Sequence, residues 1–494
     1  MESYFFLYWY MKNILSALFV LLLVAKSIAQ QPEFLQTIEV CNSSVFGGLR
    51  PRITLVHDSI PVISFNRAGA DPAVFVSRYS GGAFSAPLRI SSPGTLPLSS
   101  TVNSAEIKSA GDTVFLLYAE HTAEASISIR RSLDGGLSFP DSFCVASYPS
   151  NHVEFPELTL LSGGNPVVAY IFSDLNMINT EIRAAYSTNG GAVFTSSTGI
   201  TGLLPGQPCE CCPIAVEKAG NSVFIGYRNN ISNEREFYLL QSNDGAQSFT
   251  GFVAIDDYEW IINTCPTNGI DLLPMGDSLH TAFASKPGGT VQIFHRGVHH
   301  TGTNIGTVGL NENSPPAQNM SYSVLAGAND TLFLAWQDTR SGSTDVYFSF
   351  RTPGQSGFSQ AFAANDPVAG VQRTIDMAYA NGLLHIVYTD LTNQKVIYRK
   401  ARLTNTTSAE EIPGPNFQLT YINQEQSIRI SNDKERIKNV LIYTISGSVS
   451  QEIKGNNQQE INISTKELIP GIYLAKLLTE SGREVVLKFV LTQP

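Results

Sequence analysis

The sequence predicts an all-β chain, a multi-bladed β-propeller followed by a small C-terminal β-sandwich. Three observations carry that reading. A β-rich run recurs seven times, each copy about 50–56 residues from the next. A glycine turn recurs behind three of the runs, as "RRSLDGGLSF" (130–139), "AYSTNGGAVF" (185–194) and "LQSNDGAQSF" (240–249). Gly 39, Pro 25 and 10% aromatic residues suit short strands and tight turns, and no helical periodicity separates the runs.

The N-terminus reads as a cleavable leader over residues 1–29. "MKNILSALFVLLLVAKSIAQ" (11–30) carries a lysine, an apolar run and small residues ahead of Gln30. The run is too short to favour a spanning helix, and no later segment reaches about 18 apolar residues. The expected mature chain is therefore exported, without a transmembrane span, and its six cysteines meet conditions that allow disulfides. The formal net charge is −10 with no long basic run, which gives no electrostatic case for a nucleic-acid partner.

The seven runs are "DSIPVISFNR", "DTVFLLYAE", "NPVVAYIFSD", "NSVFIGYRNN", "DSLHTAFASK", "DTLFLAWQD" and "GLLHIVYTD". A short apolar strand precedes each and a third strand follows, so each unit reads as one four-stranded blade. Seven blades over 34–405 is the favoured count and six the alternative. The last copy lacks its own fourth strand, and "FLQTIEV" (34–40) is the segment free to supply it and close the ring. In the recurring turn Asp134 can accept backbone N–H bonds, the glycines can take positive φ, and Phe139 can anchor the hairpin. The first turn matches in full. The second has Asn189 for Asp, and in the third Gly245-Ala246 reads as a shifted glycine.

This turn resembles the Asp-box, or BNR repeat, of sialidases. The resemblance is specific for a propeller and weak for chemistry, because hairpin stapling alone explains the turn. Sialidases use an arginine triad on the substrate carboxylate, an Asp acid/base and a Tyr nucleophile assisted by Glu. Carried onto this chain, the resemblance implies Tyr322 as nucleophile, Asp71 as acid/base and Glu154 as its glutamate partner. It implies Arg50, Arg52, Arg67, Arg228, Arg340 and Arg373 as the pool of substrate-binding arginines. The departures are a scrambled "LRPRITL" opening, seven units where the family has six blades, and no well-placed glutamate.

Beyond a polar linker at 406–415, residues 416–494 show strands and glycine turns without the blade pattern. "VLIYTISG" (440–447), "INISTKELIPGIYLAKL" (461–477) and "KFV" (488–490) closely resemble the type A sorting domain of type IX secretion. That implies passage across an outer membrane, with the secretion machinery as partner, and a secreted or surface location.

Blade topology brings the starts of the inner strands and the loops after the second strands to one face. That face collects "LRPRITL" with Arg50 and Arg52, "NHVEFPEL" with His152 and Glu154, "PCECCP" with Cys209, Cys211 and Cys212, "NTCPTNG" with Cys265, "NMSYSV" with Met320 and Tyr322, and Arg373 at the seventh strand start. Adjacent blades begin with the two cysteine segments, so a disulfide from Cys265 to one of the triplet is the leading reading. Six cysteines allow fifteen connectivities, so the pairing stays open. The alternative is a copper or zinc site built from the four thiols with His152 and Met320. No other cofactor is expected. The functional reading that leads is an exported propeller that binds a glycan or a surface protein through this face. An exo-acting sialidase-like hydrolase and a metal centre at the cysteines are the alternatives.

Overall fold

The protein's structure is a computed structural model that describes residues 29–42, 50–121, 124–195, 199–286, 289–310, 320–367, 369–406, 417–422, 426–432, 435–444, 448–469, 471–482 and 484–491. The expected leader, apart from Ala29, and almost all of the expected linker at 406–415 lie outside the described residues. The chain divides into two compact units, one over Pro32–Leu403 and one holding Thr404–Pro494.

The first unit is a seven-bladed propeller of antiparallel sheets. Its inner strands are Arg52–Val56, Glu106–Ala110, Asn151–Leu160, Ala215–Ala219, Ile270–Met275, Ser321–Ala328 and Gln372–Ala380. Each touches the next, and the seventh touches the first, so the ring is closed. The seventh blade takes its outer strand from the other end of the chain, where Ala29–Cys41 pairs with Lys395–Thr406. Lys395 to Glu39 and Arg402 to Glu33, both 2.7 Å, fasten that seam.

Why these runs stack as blades follows from their two-faced apolarity. The second strand of blade two, Thr113–His121, is buried along nearly its whole length. Phe115, Leu117 and Ala119 enter the apolar cluster shared with blade three. Val114, Leu116 and Tyr118 enter the cluster shared with blade one. Period-two alternation thus sends one strand into two cores, and a run apolar at every position is what that demands. Every pair of neighbouring blades shares one such cluster, including the seventh with the first.

The repeated turn joins the third strand to the chain's return. Ser132 Oγ accepts the Gly136 N–H at 2.8 Å, while Asp134 Oδ1 accepts those of Leu137 and Ser138 at 3.0 and 2.9 Å. Hydrogen bonds from Ser138 and Ser132, with those backbone donors, hold the Asp134 carboxyl down at about 2. Ser187 and Asn189 repeat the pattern. The third turn corrects the expectation of a shifted glycine. Ser242 Oγ accepts the Ala246 N–H at 2.9 Å, so Ala246 stands in register where the others have Gly136 and Gly191. Its φ is 69°, in the left-handed region. Gly135 N donates to Asp112 O and Gly190 N to Asn165 Oδ1, which seats these turns on the hairpins linking first and second strands. They therefore lie on the face opposite the inner-strand starts.

The second unit is a two-sheet β-sandwich. One sheet holds Gln418–Ile422, Ser427–Ser431 and Glu460–Ser464; the other holds Ile437–Thr444, Val449–Gln458, Gly471–Thr479 and Glu484–Leu491. Ile428, Ile430, Val440, Ile442, Ile461, Ala475 and Leu477 fill the space between.

Ala246→Gly removes a Cβ from a position with positive φ and is expected to stabilise the propeller by roughly 1 kcal/mol, read from chemical denaturation. Deleting residues 30–40 leaves blade seven with an open edge, so the propeller's melting temperature should fall sharply; an unchanged value refutes this closure of the ring.

Candidate functional site

The site is built by the starts of the inner strands. Three of them carry a bulge at the same point, between Glu154 and Glu157, Ser321 and Val324, and Arg373 and Asp376. Inside each bulge one residue takes positive φ: Phe155 at 51°, Tyr322 at 54° and Thr374 at 54°. A bulge re-aims side chains, and non-glycine residues held there cost of order 1–3 kcal/mol, which the surrounding latches must offset. Side-chain amides of the preceding blades supply them. Asn103 Oδ1 accepts the Phe155 N–H at 2.9 Å, Asn268 Oδ1 that of Tyr322 at 3.2 Å, and Gln337 Oε1 that of Thr374 at 3.1 Å.

Below the bulges the channel is filled by ionisable side chains from most blades. Arg52 of blade one lies 3.0 Å from Glu106, 3.5 Å from Glu157 and 3.6 Å from Asp376. Lys108 reaches Glu217 at 2.5 Å, and Thr159 Oγ1 donates to the same carboxylate at 2.9 Å. Asp376 also accepts the Ile53 N–H at 2.8 Å, and Asp271 accepts that of Leu325 at 2.6 Å. Five carboxyls thus face Arg50, Arg52 and Lys108. Burial, reinforced by Glu106, pushes Glu157 up to about 8, and burial pushes Asp271 up to about 7.

Above this cluster a cleft of about 30 Å³ opens, lined among others by Arg50, Arg52, Thr101, Asp271, Tyr322 and Thr374. Its cations differ. Arg52 is held charged by three carboxylates against its burial. Arg50 is driven the other way, by burial and by Arg52 beside it. Arg50 donates to the Val102 carbonyl, and its one carboxylate among the described residues, Glu157, stands 3.8 Å off.

Of the residues the sequence singled out, Arg50, Arg52 and Tyr322 meet at this cleft. The others do not line it, and the triad assignment is corrected accordingly. Asp71 is exposed and pairs with both Arg67 and Arg89. The Arg89 hydrogen bonds hold its carboxyl below the ordinary range, which is the reverse of what a general acid needs. Arg67 is committed to Asp71 and stacks on Phe75. Arg228 is 1% exposed and donates to the carbonyls of Arg235 and Ala284. Arg340 pairs with Asp338 and lies over Tyr347. Arg373 flanks the bulge of blade seven, paired with Thr389 and one residue short of the lining position taken by Thr374. Glu154, half-buried and pushed up to about 7 by burial, likewise stands off the cleft, whose lining includes no glutamate. Asp271 is the acid that sequence reading missed. The signal was its place in "GIDLL", as the second residue of the inner strand Ile270–Met275.

Cys211 is bonded to Cys265, which ties the loop entering blade four to the loop entering blade five. Cys209 and Cys212 lie buried alongside, with their sulfurs 3.0 Å apart. The expected helpers at a metal are elsewhere. His152 lies tilted against His121 with ring centroids 5.2 Å apart, and Met320, 2% exposed, turns its sulfur to the Ile293 N–H between blades five and six. Cys41 is buried between blades seven and one, where burial lifts its thiol to about 12. Cys144 is free and exposed.

No family model matches the chain, and no curated protein matches it. Solved structures do. A polysaccharide lyase, described as a PL25 ulvan lyase bound to -[GlcA(1-4)Rha3S]-, aligns over 73% of this chain and 95% of its own, with 9% identity and a TM-score of 0.50. A protein of unknown function from Dyadobacter fermentans DSM 18053 covers 76% and 99%, with 11% identity and a TM-score of 0.42. A GH93 alpha-L-arabinofuranosidase of Fusarium graminearum, in complex with arabinobiose, covers 74% and 97%, with 11% identity and a TM-score of 0.43. At such identities the likeness is one of fold, the β-propeller.

The raised carboxyls set a pH dependence. Glu157 and Asp271 bind protons in the folded chain that they release when unfolded, so stability falls as pH rises toward about 8. The buried His280 and His385, held at about 4, act oppositely, but their unfolded-state titration is centred at about 6.5 and nearly complete by about 7.5, so they offset only a small part of the loss. Between pH 6.5 and 8 the wild type should therefore lose stability, by of order 1–3 kcal/mol, and Glu157→Gln should flatten the slope. Denaturant titrations across that range decide it; identical slopes in both proteins contradict the assignment.

Proposed function

We propose that the protein is an exported β-propeller that binds an acidic carbohydrate at its channel mouth, with Arg50 and Tyr322 as the contact residues. The observation that supports this is Arg50. It is the one lining cation whose burial is not offset by close carboxylates, so a carboxylate or sulfate entering the cleft would complete its pairing. Tyr322, held at the mouth by its bulge, adds an aromatic face and a hydroxyl, the combination that recognises a sugar ring. The cleft of about 30 Å³ is far smaller than the several hundred Å³ of an enclosing ligand pocket. It suits one charged substituent of a chain lying across the face. A glycan is thus the partner this reading favours over a surface protein.

Asp271 supports a second reading. It lines the cleft and is held near 7 by burial, the range a general acid needs at neutral pH. An exo-acting glycoside hydrolase of the sialidase-like superfamily would then use Asp271 in place of Asp71. Membership of that superfamily rests on the turn motif at 132–139. Export rests on the leader, and delivery by type IX secretion on the words quoted from residues 416–494.

The test is a glycan array followed by calorimetry on the mature chain. Uronate-bearing or sialylated oligosaccharides should bind and neutral ones should not, while Arg50→Gln and Tyr322→Ala should each weaken binding at least tenfold. Equal binding of neutral glycans, or an Arg50→Gln variant that binds as tightly as wild type, would overturn the proposal. Turnover abolished by Asp271→Asn with binding retained would select the hydrolase.

A further inference from the structure

The four sulfurs of Cys209, Cys211, Cys212 and Cys265 all lie within 4.8 Å of one another. A tetrahedral cation with sulfur at about 2.3 Å sets its ligands about 3.8 Å apart, so the cluster needs only small adjustments to hold one. Proximity alone fits two disulfides equally well. The charges around the cluster separate the two cases.

Two arginines pack against the sulfurs, Arg228 at 1% and Arg235 at 5% exposure. Arg235 donates to Cys209 Sγ at 2.8 Å and to the Ile262 carbonyl. Arg228 donates to the carbonyls of Arg235 and Ala284, stacks over Phe237 and Trp260, and leaves Nε without a hydrogen-bond partner. Among the described residues neither guanidinium has a carboxylate within ion-pair distance. Asp256, itself buried, acts on Arg228 from farther away. Two buried guanidiniums without anions are costly; Arg52, buried in the channel, has Glu106 at 3.0 Å, and these two have no such partner among the described residues. Two disulfides would make all four sulfurs neutral and leave that cost in place. A divalent cation with four thiolates carries a net charge of −2, which balances the charge of the two arginines.

We propose that Cys209, Cys211, Cys212 and Cys265 form a tetrathiolate site for one divalent, thiophilic cation of the zinc class, charge-matched by Arg228 and Arg235. The Cys211–Cys265 bond is the form of the same sulfurs when no cation is held. Loading takes place on four reduced thiols, whose protons pass to solvent as the cation binds. From the bonded form a dithiol reductant must first give two electrons and two protons to the sulfurs, itself becoming a disulfide. The site is structural rather than catalytic, since four protein ligands close the coordination shell. It joins two loops that line the cleft. Gly269, four residues after Cys265, sits so close to Pro213 that an added Cβ would lie 2.7 Å from the Pro213 carbonyl oxygen. Cation binding therefore fixes the blade-four and blade-five side of the mouth, whatever the mouth binds.

The test uses the mature chain purified anaerobically with a dithiol and titrated with cobalt(II). One cobalt per chain, the intense visible bands of a tetrahedral thiolate complex, and displacement by zinc are expected. Cys209, Cys211, Cys212 and Cys265 should then resist alkylation while Cys144 reacts. Cys265→Ser should change the spectrum to that of three sulfurs, Arg235→Met should weaken affinity at least tenfold, and Cys144→Ser should alter nothing. Wild-type reduced chain that shows no thiolate–cobalt bands overturns the proposal without recourse to any variant. So does a folded Cys265→Ser protein with an unchanged spectrum.

Discussion

Arg52 reaches carboxylates of three other blades from the start of the first inner strand, at 3.0, 3.5 and 3.6 Å. A closed ring of seven sheets has no central helix or strand to fill its axis, so the inner strands must cover their own polar edges. Here they do so with charge. Once Arg52 is buried, Glu106, Glu157 and Asp376 have to be near it, and the strands that carry them have to be in register. Lys108 with Glu217 repeats the arrangement farther around the ring. The apolar clusters between blades give stability without direction; the ion cluster on the axis specifies which strand faces which.

The same constraint makes the mouth. Five carboxyls around three cations cannot all ionise cheaply in a buried site, so some are held protonated near neutrality. Asp271 and Glu157 are the two so placed, and Asp271 is the one that opens onto the cleft. Arg50 stands at the edge of the cluster, where the supply of carboxylate runs out. The chemistry at the mouth is therefore the remainder of a structural problem: one under-paired cation and one protonatable acid, beside a tyrosine aimed by a bulge. The cysteines pose a parallel case on blades four and five, where two arginines face sulfur in place of carboxylate.

Much of the fold is legible in the chain itself. Runs such as "DTVFLLYA" are apolar at nearly every position, which marks a strand buried on both faces, and their regular recurrence implies a ring. The turn motif is legible as well, because Ser132 and Asp134 act on residues within four positions of themselves. Even there, local reading misjudges Ala246, since left-handed backbone ordinarily selects glycine and the Ser242 and Asp244 bonds override that preference.

The site is legible only in part. Residue order alone puts functional side chains at inner-strand starts, and it names Arg50, Arg52 and Tyr322 because topology gathers such starts on one face. It does not say which of six arginines are committed to other partners. Arg228 to backbone carbonyls, Arg340 to Asp338 and Arg67 to Asp71 are decided by contacts that span up to 56 residues and depend on rotamers. Nor does it pair the cysteines, since fifteen connectivities are equivalent in a linear chain and only the meeting of two loops selects Cys211 with Cys265. Periodicity is a property of the chain and survives in the sequence. Charge compensation is a property of the assembled ring, and exists only once seven strands from distant segments share one axis.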